Sequence, residues 1–196
     1  VGCRPEMKQR IYYANHNSHI DFILLWSSLP RHIRCRTRPV AASDYWLKDG
    51  LRRFLIQDAF SGVIIRRSGG NGEDPLQPVK AVLAEGYSII FFPEGTRNTD
   101  DNTVLLPFKT GIYHLAASRP DTEFVPIWIH NINRVLPKGK VLPVPLLCDV
   151  KIGEALRLQE GESKEAFLER SRNALLALAP HDTRQPSVLN EGERHE

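Results

Sequence analysis

The sequence predicts an α/β fold, a single domain with a mainly parallel or mixed central sheet covered by helices. Three observations carry this expectation. Short β-branched and aromatic runs alternate with helical apolar patterns along most of the chain. At least one of those runs, residues 88–92, is a buried-type strand of the kind that helices cover on both sides. With 196 residues, 41% of them hydrophobic, the chain can bury one substantial core, and its length gives no reason to invoke a second.

Taken in order, Arg10–Ala14 is a β-branched and aromatic run and predicts the first strand. The polar stretch Asn15-His16-Asn17-Ser18 follows, then apolar Ile20, Phe22, Ile23, Leu24, Leu25 and Trp26. Ser18 with Asp21 three places on has the form of a capping box, so a helix is expected to start at Ser18. Leu29-Pro30 closes it, because the residue before a proline is pushed out of the α region. Residues 39–43 predict a second strand, 45–57 an amphipathic helix, and 62–66 a third strand that runs into the glycine-rich turn 68–72. A helix with Val79, Val82 and Leu83 on one face stops at Gly86, and strand 88–92 ends at Pro93. Residues 108–117 suit a helix and Glu123–His130 a strand; 141–152 suits one or two strands broken by prolines. Ser163 opens a last helix with Phe167, Ala174, Leu175 and Leu178 on one side, and residues 181–196 form a polar tail.

A net charge of +3 and a pI of about 8.8 are too weakly basic to indicate a nucleic-acid binder. The distribution is more telling. Between Arg31 and Arg67 stand Arg34, Arg36, Arg38, Lys48, Arg52, Arg53 and Arg66, opposed only by Asp44, Asp49 and Asp58. This stretch suits anionic partners such as phosphates, a coenzyme A tail or acidic lipid headgroups, or it is a solvated basic face. Cys3, Cys35 and Cys148 are widely spaced, which suggests neither a disulfide framework nor a zinc knuckle and fits a reducing setting. No apolar run approaches the ~18 residues that span a bilayer. The chain begins at Val1 and soon enters a strand, so a segment upstream is expected.

His16 and Asp21 are five apart, which on one continuous helix would separate them by about 140°. At a strand-to-helix turn the carboxylate instead approaches the imidazole from the helix side. It then fixes the tautomer and leaves the other ring nitrogen basic, ready to take a proton from an alcohol. On these residues alone the alternative stands that Asp21 caps the helix and His16 is a loop histidine, and His19, in the same turn, is a rival to His16. Directly after strand 88–92, Glu94, Gly95, Thr96 and Arg97 place an acid, a flexible backbone, a hydroxyl and a guanidinium together, a set that suits a phosphate monoester. The alternative is a Glu94–Arg97 salt bridge closing a tight turn. Arg67 joins this pocket if the two preceding strands are neighbours. Lys109-Thr110-Gly111 stands at a helix start, where the amine serves an anion or is solvated. Val125-Pro126-Ile127 holds no reactive atom and has a role only in shaping an acyl channel.

Together these residues resemble the ordered blocks of the lysophosphatidic acid acyltransferase family, also called PlsC-like glycerolipid acyltransferases. Asn15-His16 with Asp21 looks like the first block, Gly62 to Arg67 the second, Phe92-Pro93-Glu94-Gly95-Thr96-Arg97 the third without substitution, and Val125-Pro126-Ile127 the fourth. The resemblance covers roughly residues 10–130 and implies an acyltransferase domain over residues 1–180. It implies direct transfer of a fatty acyl group from acyl-CoA or acyl-carrier protein to the free hydroxyl of 1-acyl-glycerol-3-phosphate, or to another lysophospholipid or glycerol-3-phosphate. His16, oriented by Asp21, would be the base. Arg67, Glu94, Gly95, Thr96 and Arg97 would hold the glycerol-phosphate portion, and amides at the start of the Ser18 helix would meet the oxyanion. No metal or cofactor is required. The lipid substrate implies a peripheral place on the cytoplasmic face of the cell membrane. Two rival classes stand beside this one. A thioesterase or lipid hydrolase lacks a G-x-S-x-G elbow here, and a binding module for acidic lipid or nucleic acid rests only on the basic stretch.

Overall fold

The structure, a computed structural model, describes residues 8–18, 20–66, 74–100, 102–130 and 149–180. Its centre is a six-stranded sheet in the order β3-β2-β4-β1-β5-β6. The strands are β1 (Arg10–Ala14), β2 (Thr37–Ala42), β3 (Val63–Ile65), β4 (Ser88–Phe91), β5 (Glu123–His130) and β6 (Asp149–Ile152). The first five are parallel and β6 joins β5 antiparallel, so the sheet is mixed.

The alternation of side chains along each strand divides the core in two. Ile11, Tyr13, Ile89, Phe91, Phe124 and Trp128 point to one face, under helices α5 (Gln77–Ala84), α6 (Gly111–Ser118) and α7 (Lys164–Leu176). Tyr12, Ala14, Ile90, Val125, Ile127 and Ile129 point to the other, under α1 (Asp21–Ser28) and α2 (Arg31–Arg34). The loops after the adjacent strands β1 and β4 thus depart to opposite faces, α1 on one and α6 on the other. In parallel sheets a crevice opens where neighbouring connections diverge, beyond the carboxyl ends of the strands.

Three expectations need correction, and one element was not foreseen. The helix expected at Ser18 begins at Asp21, since the Ser18 hydroxyl does not cap it and the Ser18 carbonyl accepts the Asp21 N–H at 3.2 Å. The other half of the capping box is present, because the Asp21 carboxylate reaches back to the Ser18 N–H at 2.8 Å. The helix expected over 45–57 is broken into α3 (Ser43–Trp46), α4 (Gly50–Arg53) and a π-helical turn (Phe54–Ala59). Asp49 causes the break: its extended backbone leaves the helix, and its carboxylate caps the next turn at the Arg52 N–H, 2.9 Å away. The short helix α2 had no sequence signal, and α6 starts at Gly111, three residues later than expected. By contrast β1 and β5 have the expected bounds, Gly86 ends α5 with φ +84° and Ser163 caps α7 at the Ala166 N–H. The glycine-rich turn, residues 141–148 and the tail 181–196 lie outside the described residues.

Candidate active site

The chain leaves β1 into Asn15, which is 1% exposed. Its amide donates to the Ile129 carbonyl at 3.0 Å and accepts from the Ile129 N–H at 2.8 Å, fastening the end of β1 to β5. The next residue, His16, is therefore presented from a fixed point at the carboxyl edge of the sheet. Its Nδ1 lies 2.9 Å from Oδ2 of Asp21, whose side chain is 1% exposed. The same oxygen accepts the N–H groups of Asn17 at 2.7 Å and Ser18 at 2.8 Å. An oxygen already receiving two amide protons acts as acceptor toward the ring too, so Nδ1 carries hydrogen and Nε2 is left as the basic nitrogen. The His16 ring also stacks on Phe92, with centroids 4.4 Å apart and planes 25° apart.

Glu94 follows β4 and is 1% exposed. One carboxylate oxygen accepts the His16 N–H at 2.7 Å and the other the Leu106 N–H at 3.0 Å. Burial pushes this carboxyl up to about 7, against the pull of those two amides. The Asn98 N–H closes the arrangement by donating to the His16 carbonyl at 2.6 Å. His16 is thus held at its amide, its carbonyl, its ring face and one ring nitrogen.

Beyond Glu94 the chain turns at Gly95, φ +68°, where a Cβ would stand 3.1 Å from Cγ of Lys109. Thr96 and Arg97 are exposed on this turn. Among the described residues nothing accepts a hydrogen bond from their backbone amides, and no ion pair joins Arg97 to Glu94. The turn-closing salt bridge is therefore not formed. Arg67 and His19 lie outside the described residues, but Arg66, at the end of β3, is exposed and without a partner among them.

A cavity of about 730 Å³ opens beside His16, within the range of small-molecule sites. Its wall is mostly apolar, with Phe22, Val40, Ala41, Trp46, Ile65 and Leu76, and it carries the cationic side chains of Arg66, Lys80 and Lys109. Lys80 is paired to Asp74 at 2.7 Å, whereas Lys109 has no partner among the described residues. Gly95 lines the cavity and Glu94 does not.

Two expectations about the site change. The amides of Asn17 and Ser18 are committed to Asp21, so they are not free to meet an oxyanion. Val125 and Ile127 are packed beneath α1 and do not line the cavity, so they shape no channel there. The structure brings His16, Asp21, Glu94 and Gly95 together and leaves Thr96 and Arg97 on the adjoining turn. The sequence reading missed the clamp made by Asn15 and the stacking of Phe92. Asn15 did leave a signal, as a polar amide immediately after a run of buried residues.

Comparison with known proteins bears on this arrangement. A family model described as Acyltransferase matches residues 4–130. A 1-acyl-sn-glycerol-3-phosphate acyltransferase of Chlamydomonas reinhardtii is 31% identical over 138 residues, which are 69% of this chain and 38% of that protein. One of Limnanthes douglasii is 29% identical over 153 residues, 74% of this chain and 50% of that protein. The human alpha form is 31% identical over 128 residues, 63% of this chain and 41% of that protein. The chain thus spans half or less of the length of these relatives. The crystal structure of the 1-acyl-sn-glycerophosphate acyltransferase PlsC from Thermotoga maritima superposes with a TM-score of 0.69 at 22% identity, covering 89% of this chain and 66% of that one. The two share the fold.

Proposed function

The chain belongs to the acyltransferase family, and from that premise we propose that it moves a fatty acyl group from an acyl thioester to the free hydroxyl of 1-acyl-glycerol-3-phosphate, giving phosphatidic acid. The observation that carries this reading is the His16–Asp21 pair, held by backbone amides at the wall of a largely apolar cavity. Nε2 of His16 takes the proton of the acceptor hydroxyl as its oxygen bonds to the thioester carbonyl carbon. The tetrahedral intermediate collapses with cleavage of the C–S bond, and the imidazolium returns its proton to the departing thiolate. No acyl-enzyme is formed, and the donor is acyl-CoA or acyl-carrier protein.

The acceptor phosphate is dianionic or nearly so, and the donors suited to it are those without a partner among the described residues: the Thr96 and Arg97 amides, the Arg97 guanidinium, Arg66 and the Lys109 amine. Arg67 belongs to the same group by its place in the family's second block. Glu94 acts on this reading as a positioning residue, since both its oxygens are spent on backbone amides. The names of the relatives favour a lysophosphatidic acid acceptor. On this reading the domain works peripherally at the cytoplasmic face of the cell membrane, where its lipid substrate resides; no helix among the described residues is long and apolar enough to cross one.

Release of free coenzyme A from a long-chain acyl-CoA, with and without lysophosphatidic acid, tests the proposal. Acceptor-dependent release that falls by about 10²–10⁴-fold in a folded His16→Ala variant is the expected result. Release indifferent to acceptor would instead make the protein a thioesterase.

A further inference from the structure

Leu51 and Phe54 are 69% and 56% exposed, and they are the large hydrophobic side chains that stand open to solvent among the described residues. Three residues apart, at α4 and the first position of the π-helical turn, they project from one side of the helix. The surrounding charges are lopsided. The stretch from α2 to the π-helical turn carries Arg31, Arg34, Lys48, Arg52 and Arg53 against Asp44, Asp49 and Asp58. Asp49 is already paired to Arg52 at 3.0 Å, and Lys48 and Arg53 have no carboxylate partner among the described residues. Arg34 sits 5.0 Å over the Trp26 ring, and that ring meets Phe60 at the far end of the π-helical turn.

We infer that Leu51 and Phe54 insert into the interfacial zone of an anionic lipid bilayer, with Lys48 and Arg53 on its headgroups. A stable protein interface buries roughly 800 Å² of surface per partner, far more than two side chains offer. A bilayer surface asks for less: a few apolar groups at the acyl boundary, ringed by cations. The patch also adjoins the site. Tyr45 and Trp46 of α3 line the cavity beside His16, and the Arg52 guanidinium lies 4.3 Å over the Tyr45 ring. Docking through α4 therefore brings the cavity wall formed by α3 to the membrane surface, where a lysolipid acceptor resides. This last step rests on the transferase reading, whereas the docking itself does not.

The test is sedimentation of the chain with vesicles of phosphatidylcholine alone and with vesicles rich in phosphatidylglycerol, for the wild type, Leu51→Asp/Phe54→Asp and Lys48→Gln/Arg53→Gln. The wild type is expected to partition onto the anionic vesicles. The apolar variant should lose about ten-fold or more of that partitioning and the charge variant several-fold. Turnover of short-chain, monomeric donor and acceptor in solution should be unchanged in both variants. A wild type that stays in the supernatant, or an apolar variant that sediments equally well, overturns the docking even if solution turnover is intact. Absence of solution turnover in the wild type overturns the transferase reading and leaves the vesicle result to judge the docking. A wild-type dimer in analytical ultracentrifugation that dissociates in the apolar variant makes the patch a self-interface and also overturns it.

Discussion

The loops after β1 and β4 leave neighbouring parallel strands a few ångströms apart, yet they are built to opposite specifications. In the first, His16 is held by four separate contacts: Asp21 Oδ2, itself receiving three donors, and Phe92, Glu94 and Asn98 at the near end of the second loop. The second then carries Thr96 and Arg97, exposed and without intramolecular partners among the described residues. A general base gains from being fixed before substrate arrives, because misplacement raises the barrier directly. A phosphate-binding turn gains from keeping its donors unpaired, since each bond already made inside the protein would have to be broken to receive the ligand. On the proposed reading, the difference separates a part that is finished by folding from one that is finished by binding.

Asp21→Asn attacks the finished part at its centre and should have the largest effect. An amide offers one oxygen and an NH₂ where three donors now converge on one carboxylate oxygen. Either the ring loses its partner or its tautomer reverses and Nε2 carries the hydrogen. We expect kcat to fall by about 10²–10⁴-fold with KM for the acceptor little changed and the circular dichroism spectrum retained. A variant with near wild-type kcat would remove Asp21 from the chemistry.

Glu94 joins the two loops, and its variant separates holding from binding. Its carboxyl is pushed up by burial to about 7. An acid whose folded pKa is raised adds stability that is complete below its ordinary value, near 4.5, and is lost as pH climbs through about 7. At roughly 1.4 kcal/mol per pH decade the loss is about 3 kcal/mol. Glu94→Gln cannot ionise, so urea unfolding across that window should show a flatter pH dependence than the wild type. Parallel slopes in the two proteins would mean that Glu94 is solvated in a way its 1% exposure does not suggest.

The contrast between the loops was only half legible in the sequence. Strands β1 and β5 announce themselves by unbroken apolar and aromatic runs, and Gly86 and Ser163 mark helix ends by mechanisms local to the chain. His16 and Asp21 are five residues apart, so a turn suffices to join them. The grip of Glu94 on the His16 amide spans 78 residues and depends on β1 and β4 being neighbours, which no local pattern encodes. For the same reason the sequence groups Glu94 with Arg97, three residues on, as a ligand for substrate, whereas in the fold Glu94 does not line the cavity. The break of the helix over 45–57 was visible in Lys48-Asp49-Gly50 but outweighed by the apolar periodicity around it. A cap of this strength wins because the Asp49 carboxylate and the Arg52 amide satisfy each other while a continuous helix would leave that carboxylate without a backbone donor.

Arg97→Ala removes an open donor and leaves the fixed base untouched, so it sharpens the comparison from the other side. Arg97 makes no ion pair among the described residues, and its loss should cost little stability. Against a phosphate-bearing acceptor, one charge-assisted contact is worth about 1.5–3 kcal/mol. KM should therefore rise by roughly ten-fold or more while kcat holds, because the interaction is made equally with the bound ground state and the transition state. Toward an acceptor lacking the phosphate the variant and the wild type should be equally poor. If kcat falls with KM unmoved, Arg97 meets the developing oxyanion instead, a role the amides of Asn17 and Ser18 cannot fill while they are bound to Asp21.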